Sequence, residues 1–322
     1  MFPQRTIQVI LRAVSLITLT TDFGARDWFV GTMKGVIASL APGTRVVDLT
    51  HDLPPGDIRG GAFALAASCR FFPKGAIHLA VVDPGVGSRR KAIAVQTAKA
   101  VFVGPDNGVL SWALAKEKIR AIHALENEAY FLQPVSPTFH GRDVFAPVAA
   151  HLSRGVPIRK FGPALKDFVR LDWPEPRARR GRIEGEVVYV DRFGNAITNL
   201  ESRLLGSPLF RSDLLTSDEP PKTRPSPCPL PATRGEGGRR PGEGRFVESS
   251  GRASCEVYAK RRRLCPLRTC YQAVPPKRPV ALVGSSGFLE IALNGGSAAK
   301  VLGVSIGTRV VLRAGLVGRR SR

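Results

Sequence analysis

The stretch Val81 to Arg90, VVDPGVGSRR, closes an apolar run with an acid, a proline turn, two glycines and two arginines. Asp83 and Arg90 lie seven residues apart across this turn, far enough for the chain to fold back and bring carboxylate and guanidinium to one place. Glycines in the turn leave a ligand room to approach. A second polar stretch, Thr138 to Phe145, TFHGRDVF, sets His140 ahead of a glycine and the neighbours Arg142 and Asp143. A histidine, an arginine and an aspartate around one water would orient it and stabilise its hydroxide-like form, because a guanidinium lowers the cost of the negative charge. Plain structural readings stand beside this one. Asp-Pro-Gly is common turn chemistry, Asp143 could cap the apolar helix that follows, and Arg142 could pair with it on the surface.

Other chemistries find less support. GVGSRR lacks the third glycine and the following helix of a dinucleotide fingerprint, no Gly-Lys-Ser/Thr completes a phosphate loop, and no serine sits in a nucleophile elbow. The five histidines at 51, 78, 123, 140 and 151 are dispersed, and His78 falls inside a predicted strand, so no metal site is expected. Four of the five cysteines, Cys228, Cys255, Cys265 and Cys270, share one irregular segment with neither zinc-ligand nor disulfide-framework spacing and read as unpaired cytosolic thiols. In the second half, DRFGNAITN places Asp191 and Asn195 around a turn, and GSSGFLE places Ser285, Ser286 and Glu290 near exposed backbone. An asparagine amide can both donate to and accept from an adenine edge, although in a hairpin it is more often turn chemistry.

These residues need elements to position them. From Leu16 to about Asp172 short β-rich runs alternate with helical ones, which predicts an α/β layer with a mainly parallel sheet and ligands beyond the carboxyl ends of its strands. Three apolar strands there end in acid-bearing turns, at Asp22, Asp83 and Asp106. The domain is expected over 15–172, a linker over 173–181 (WPEPRARRG), and a smaller β-barrel-like domain over 182–313. Residues 211–268, rich in Pro, Gly and Arg with little apolar periodicity, read as a disordered low-complexity insertion into that second domain.

Composition bounds the rest. A chain of 322 residues with 43% hydrophobic content buries a real core. Its net charge of +22 raises nucleic-acid binding as a competing reading, but the basic clusters at 177–182, 261–263 and 319–322 are scattered and lack interleaved aromatics. Arg12 interrupts the apolar N-terminus, no signal cleavage site follows, and no run reaches the ~20 apolar residues of a membrane span. The expected location is cytoplasmic, with no membrane partner.

Taken in order, TTDFG, VVDPGVGSRR, GPDNG, FHGRDVFAP, DRFGNAITN and GSSGFLEIALNGGSAA resemble the S-adenosyl-L-methionine (SAM) hydroxide adenosyltransferases, adenosine-forming hydrolases related to SAM-dependent chlorinases and fluorinases. The resemblance covers 15–205 and resumes from about Thr269 to Leu312. It implies an α/β domain followed by a barrel-like domain, a homotrimer with SAM held between subunits, no cofactor, and attack of activated water on the ribose C5′ with methionine as leaving group. By that resemblance Asp83, Arg90 and His140 activate the water and Asp22 binds the ribose hydroxyls. Asp191 meets the methionine ammonium, Ser285 its carboxylate, and Asn195, with Glu290 and the backbone near Asn294 and Gly295, the adenine. The halogenases lack the Asp-Arg-His set, which favours hydrolysis here. A halogenase on the same scaffold, and a homologue disabled by the insertion, remain the alternatives. In the family a Tyr-Ala-Asp segment leads into the barrel strand; here RTCYQAVPPKRP stands there, leaving open whether Tyr271 replaces that tyrosine.

Overall fold

The computed structural model describes residues 15–179, 181–205 and 255–314. The chain divides into two compact units between Trp173 and Pro174. Residues 1–14, 211–254 with Cys228, and 319–322 lie outside the described residues.

In the first unit β1 (Leu16–Thr21), α1 (Phe29–Leu40), β2 (Arg45–Thr50), α2 (Ile58–Ser68) and β3 (Ile77–Val81) alternate as expected. Then come β4 (Ala92–Thr97), β5 (Val101–Pro105), α3 (Ser111–Leu114), β6 (Ile119–Ala124) and α4 (Ala146–Ser153). The six-stranded sheet runs β2-β1-β3-β5-β4-β6. The first four strands in that order are parallel, while β4 runs antiparallel to both β5 and β6. Helix α1 forms because Val30, Met33 and Ile37 recur at helical spacing, and that stripe packs on Ile17, Leu19, Leu79 and α4. Asp57 caps α2 through the Gly60 N–H at 2.8 Å. Strands β1 and β3 therefore lie inside the layer, and their carboxyl ends deliver Asp22 and Asp83 to one edge of the sheet.

The second unit is an eight-stranded antiparallel sheet built from β7 (Arg177–Arg179), β8 (Arg182–Val190), β9 (Ala196–Glu201), β10 (Cys255–Ala259), β11 (Arg262–Pro266), β12 (Pro279–Val283), β13 (Phe288–Leu293) and β14 (Arg309–Ala314). Helix α5 (Ser202–Leu205) follows β9, and α6 (Ala298–Leu302) precedes β14. The sheet path runs β11-β10-β14-β8-β9-β13-β12, with β7 on β8. A parallel bridge between Leu267 and Ala281, with Arg268 N–H on Ala281 O at 2.8 Å, brings its two edges together into a nearly closed barrel.

Two expectations need correction here. The supposed linker contains β7, paired with β8 from Arg177 to Arg179. The supposed insertion ends by Cys255, because β10 and β11 are barrel strands whose Val257, Ala259, Leu264 and Cys265 lie in the core. CEVYA alternates toward its end, with Val257 and Ala259 inside; in RRLCP a register shift puts neighbouring Leu264 and Cys265 both inside after two exposed arginines, which broke the period-2 signal. Among the described residues no helix is long and apolar enough to cross a membrane.

His78 on β3 bonds Thr18 at 2.8 Å and stacks on Phe102 at 4.9 Å between ring centres. Burial pushes its pKa down from 6.5 to about 4. The unfolded ring takes up its proton at higher pH than the folded one, so this contribution is complete above about pH 6.5 and lost as the pH falls to about 4. Urea unfolding across that window is expected to lose ~3 kcal/mol from this group, and His78→Gln should flatten the dependence. In the barrel, Leu264→Ala is expected to lower stability by about 2–4 kcal/mol, a cost absent if residues 262–266 lay outside the fold.

Candidate active site

Three segments of the first unit meet at the carboxyl edge of its sheet. The first is the turn after β3. Its entry is fixed by Asn107, whose Nδ2 donates to Val82 O at 2.8 Å, and its path by Val86 N–H on Asp83 O and Ser88 N–H on Gly85 O. The chain thus folds back across Pro84–Ser88, as the seven-residue spacing requires. Arg90 Nε donates to both oxygens of Asp83 at 2.9 Å, and Nη2 adds a further bond to Oδ2. Their side chains are only 4% (Asp83) and 11% (Arg90) exposed. A carboxylate so enclosed is tolerable because the guanidinium matches its fork.

The second segment carries His140. It sits at the start of a single turn of π-helix, Gly141–Phe145, that runs directly into α4. Arg90 Nη2 lies 2.9 Å from His140 Nδ1. A guanidinium only donates, so Nδ1 accepts and the imidazole is the neutral tautomer with its proton on Nε2. Burial first, and the Arg90 charge second, lower the His140 pKa against the opposing pull of Asp83 and Asp143. The two segments interlock at Gly87, whose φ is +75° and whose added Cβ would lie 2.5 Å from Pro137 O.

Arg142 and Asp143 belong to the support. Asp143 is fully buried and accepts from Arg142 Nε at 2.6 Å, Arg142 Nη2 at 2.9 Å and the Ser136 N–H at 2.9 Å. It therefore ties the 136–140 loop to the π turn; it neither caps α4 nor pairs on the surface. The local sequence carried no signal for this, since burial of Asp143 depends on packing around the whole turn.

The third segment holds Asp22, whose Oδ2 accepts the Gly56 N–H at 2.7 Å. Gly56, at φ +74°, faces Pro84, close enough that an added Cβ would touch it, and so brings the Asp22 and Asp83 turns together. Asp106 is structural: its Oδ1 accepts the Val169 N–H at 2.8 Å.

The remaining candidates lie in the second unit. Asp191 closes the β8–β9 turn, accepting from Phe193 N–H at 2.9 Å, Asn195 N–H at 2.8 Å and Asn195 Nδ2 at 2.9 Å. Glu290, 5% exposed on β13, accepts the Tyr271 hydroxyl. Burial raises the Glu290 pKa, the nearby Asp191 charge adds to that, and the Tyr271 bond opposes both. Tyr271, whose place in the register was open, is thus part of this cluster. Ser285 lies in the β12–β13 turn. Asn294 is engaged locally, its Nδ2 on Val274 O at 2.8 Å and its backbone bonded to Lys277 and Arg278. Among the described residues no group of three or more His, Cys, Asp or Glu gathers in metal-binding geometry.

An α/β layer with polar groups converging beyond its strand ends, followed by an antiparallel barrel, defines a class of two-unit ligand-binding proteins. The particular family follows from comparison with known proteins. The SAM hydroxide adenosyltransferase N-terminal domain matches residues 17–162 and its C-terminal domain residues 243–311. The chain belongs to the SAM hydroxide adenosyltransferase family. The C-terminal match begins well before Thr269 and takes in both β10 and β11. The (R)-S-adenosyl-L-methionine hydrolase of Salinispora tropica is 39% identical over 93% of this chain and 98% of its own length. That of Thermus thermophilus is 38% identical over 91% and 97%. A fluorinase from an Actinoplanes species is 27% identical over 58% of this chain and 71% of its own. The crystal structure of an uncharacterised conserved protein from Thermotoga maritima superposes with a TM-score of 0.75 at 31% identity, covering 92% of this chain and 99% of that one.

Two measurements test this geometry. In an NMR titration the His140 ring is expected to titrate below 6.5, and Arg90→Gln should move its midpoint upward by removing the guanidinium that opposes protonation. Gly87→Ala should cost roughly 2 kcal/mol or more in thermal unfolding, because a Cβ meets backbone in a left-handed conformation.

Proposed function

We propose that this chain hydrolyses SAM to adenosine and L-methionine by attack of an activated water on the ribose C5′. The observation that carries the proposal is the contiguous Asp83–Arg90–His140 set, in a chain that aligns over more than nine-tenths of its length with the hydrolase-named relatives of Salinispora tropica and Thermus thermophilus. The hydrolase-named relatives are 37–39% identical to this chain and the fluorinases 26–27%, so hydrolysis is favoured over halogenation.

The chemistry asks little at sulfur. A sulfonium leaves as a neutral thioether, so the barrier lies in holding and partly desolvating a hydroxide-like nucleophile in line with the C5′–S bond. In this reading His140 Nε2–H donates to the water oxygen and sets its place. Asp83 accepts from the water and takes its proton as the O–C5′ bond forms, while Arg90 stabilises the developing charge. The C5′–S electron pair goes to sulfur, and one proton is released to solvent for each cationic SAM consumed. No cofactor is required by these steps.

Asp22 is the group for the ribose diol. Asp191 serves the methionine ammonium and Ser285 the carboxylate. Asn195 Nδ2 donates to Asp191, which turns that side of the amide away and leaves Oδ1 to accept from the adenine amino group, with Glu290 and the backbone at Asn294 beside it. As the resemblance implies, the second-unit residues would serve the site of a neighbouring copy in a homotrimer, and a light-scattering mass of three chains tests that assembly. The free thiols of Cys69, Cys255 and Cys265, the last pushed up to about 12 mainly by burial, accord with a cytoplasmic setting.

The decisive assay is incubation with SAM in ¹⁸O-labelled water followed by mass spectrometry. Adenosine carrying one ¹⁸O, with unlabelled methionine, is the expected result. Unconsumed SAM, or chloride-dependent 5′-chloro-5′-deoxyadenosine in place of adenosine, would contradict it.

A further inference from the structure

The mechanism leaves unused a line of contacts behind Asp22. Thr21 ends β1 and His51 follows β2, and both are buried, at 0% and 9% exposure. His51 Nε2 lies 3.0 Å from Asp48 Oδ1, close though not aligned as a full hydrogen bond. In the neutral ring a proton on Nε2, facing the carboxylate, leaves Nδ1 as the acceptor. The Thr21 hydroxyl then donates to His51 Nδ1 at 2.8 Å, and its lone pairs take the Phe23 N–H at 3.3 Å. The His51 carbonyl accepts the Gly24 N–H at 2.7 Å. Both backbone amides immediately after Asp22 therefore end on Thr21 or His51. Behind them Lys34 holds the other oxygen of Asp48 at 2.6 Å.

The hydrogen bonds run in one direction, from Phe23 to Thr21 and from Thr21 to His51, whose Nε2 faces Asp48. The Thr21 hydroxyl, which already accepts from Phe23, finds its own acceptor here only with Nδ1 unprotonated, so the line fixes the conformation of the turn as well as its position. Gly24, at φ +70°, completes that turn, and on the other side Gly56 N–H holds one Asp22 oxygen. Among the described residues the second oxygen accepts no hydrogen bond, which leaves it for a ligand.

We propose that His51 is a positioning residue for substrate recognition, holding the turn that aims the Asp22 carboxylate at the 2′- and 3′-hydroxyls of the substrate ribose. The proposal rests on the reading of Asp22 as the ribose-binding group. A residue that aims a carboxylate at a diol affects the energy of that contact and leaves the rest of the nucleoside site as it was.

Calorimetry on the full chain can separate these effects by comparing adenosine with 2′,3′-dideoxyadenosine, which lacks the diol. The native chain should prefer adenosine by about tenfold or more, and Asp22→Asn should erase the preference. His51→Phe keeps a ring but neither nitrogen, and should lose most of the preference while binding dideoxyadenosine as before. His51→Asn, which restores an acceptor for Thr21, should recover it. If His51→Phe keeps the preference that Asp22→Asn loses, His51 has no such role and the ribose reading of Asp22 stands. If Asp22→Asn keeps the preference, the reading of Asp22 fails and this proposal with it. Equal weakening of both ligands by His51→Phe would show a merely structural histidine and would also overturn the proposal.

Discussion

A carboxylate whose side chain is 4% exposed keeps its charge in a protein only if something replaces the water it has lost, and for Asp83 that is Arg90. The bidentate contact does more than neutralise. By spending Nη2 on both Asp83 and His140, Arg90 fixes the protonation state of the imidazole, because a donor facing Nδ1 excludes a proton there. One guanidinium thus sets the charge of the acid, the tautomer of the histidine and the field felt by anything between them. The Phe145 ring, 5.3 Å from the guanidinium carbon, limits where Arg90 can move.

The surrounding architecture reads as a means of holding that arrangement. The parallel strands β1 and β3 are adjacent, so their carboxyl ends present Asp22 and Asp83 side by side without long loops. Asn107 anchors the end of β3, Gly87 lets the 83–90 turn press on Pro137, and buried Asp143 ties the His140 loop to its π turn. Each of these supports is a polar group satisfied by a neighbouring loop or a glycine where a side chain would not fit. The result is rigid placement from short loops, which is what a site that must align a small nucleophile requires.

Much of this was legible in the chain itself. Strand–helix alternation from Leu16 onward showed the layered sheet, and the Asp83–Arg90 spacing across Pro-Gly-Val-Gly pointed to a folded-back pair because that turn chemistry has few other outcomes. The partner of His140 was harder. Arg142 is two residues away in sequence, yet it turns to Asp143, and the guanidinium that reaches the imidazole comes from fifty residues earlier. Local spacing cannot rank such alternatives, since burial decides them. The same limit hid β10 and β11, where a register shift turns adjacent Leu264 and Cys265 both inward and so breaks the alternation that a strand would show. His51 was one of several scattered histidines until the packing of β1 against β2 showed what its two nitrogens face.

The central claim is that Asp83, Arg90 and His140 act as one unit on the attacking water, and a double-mutant cycle on turnover at saturating SAM tests it directly. Asp83→Ala and Arg90→Ala should each lower kcat by roughly 10²–10⁴-fold, and the double variant should be no worse than the poorer single one. Losses that multiply in the double variant, or an Arg90→Ala enzyme that turns over like the native chain, would mean that the two side chains act separately and would contradict it.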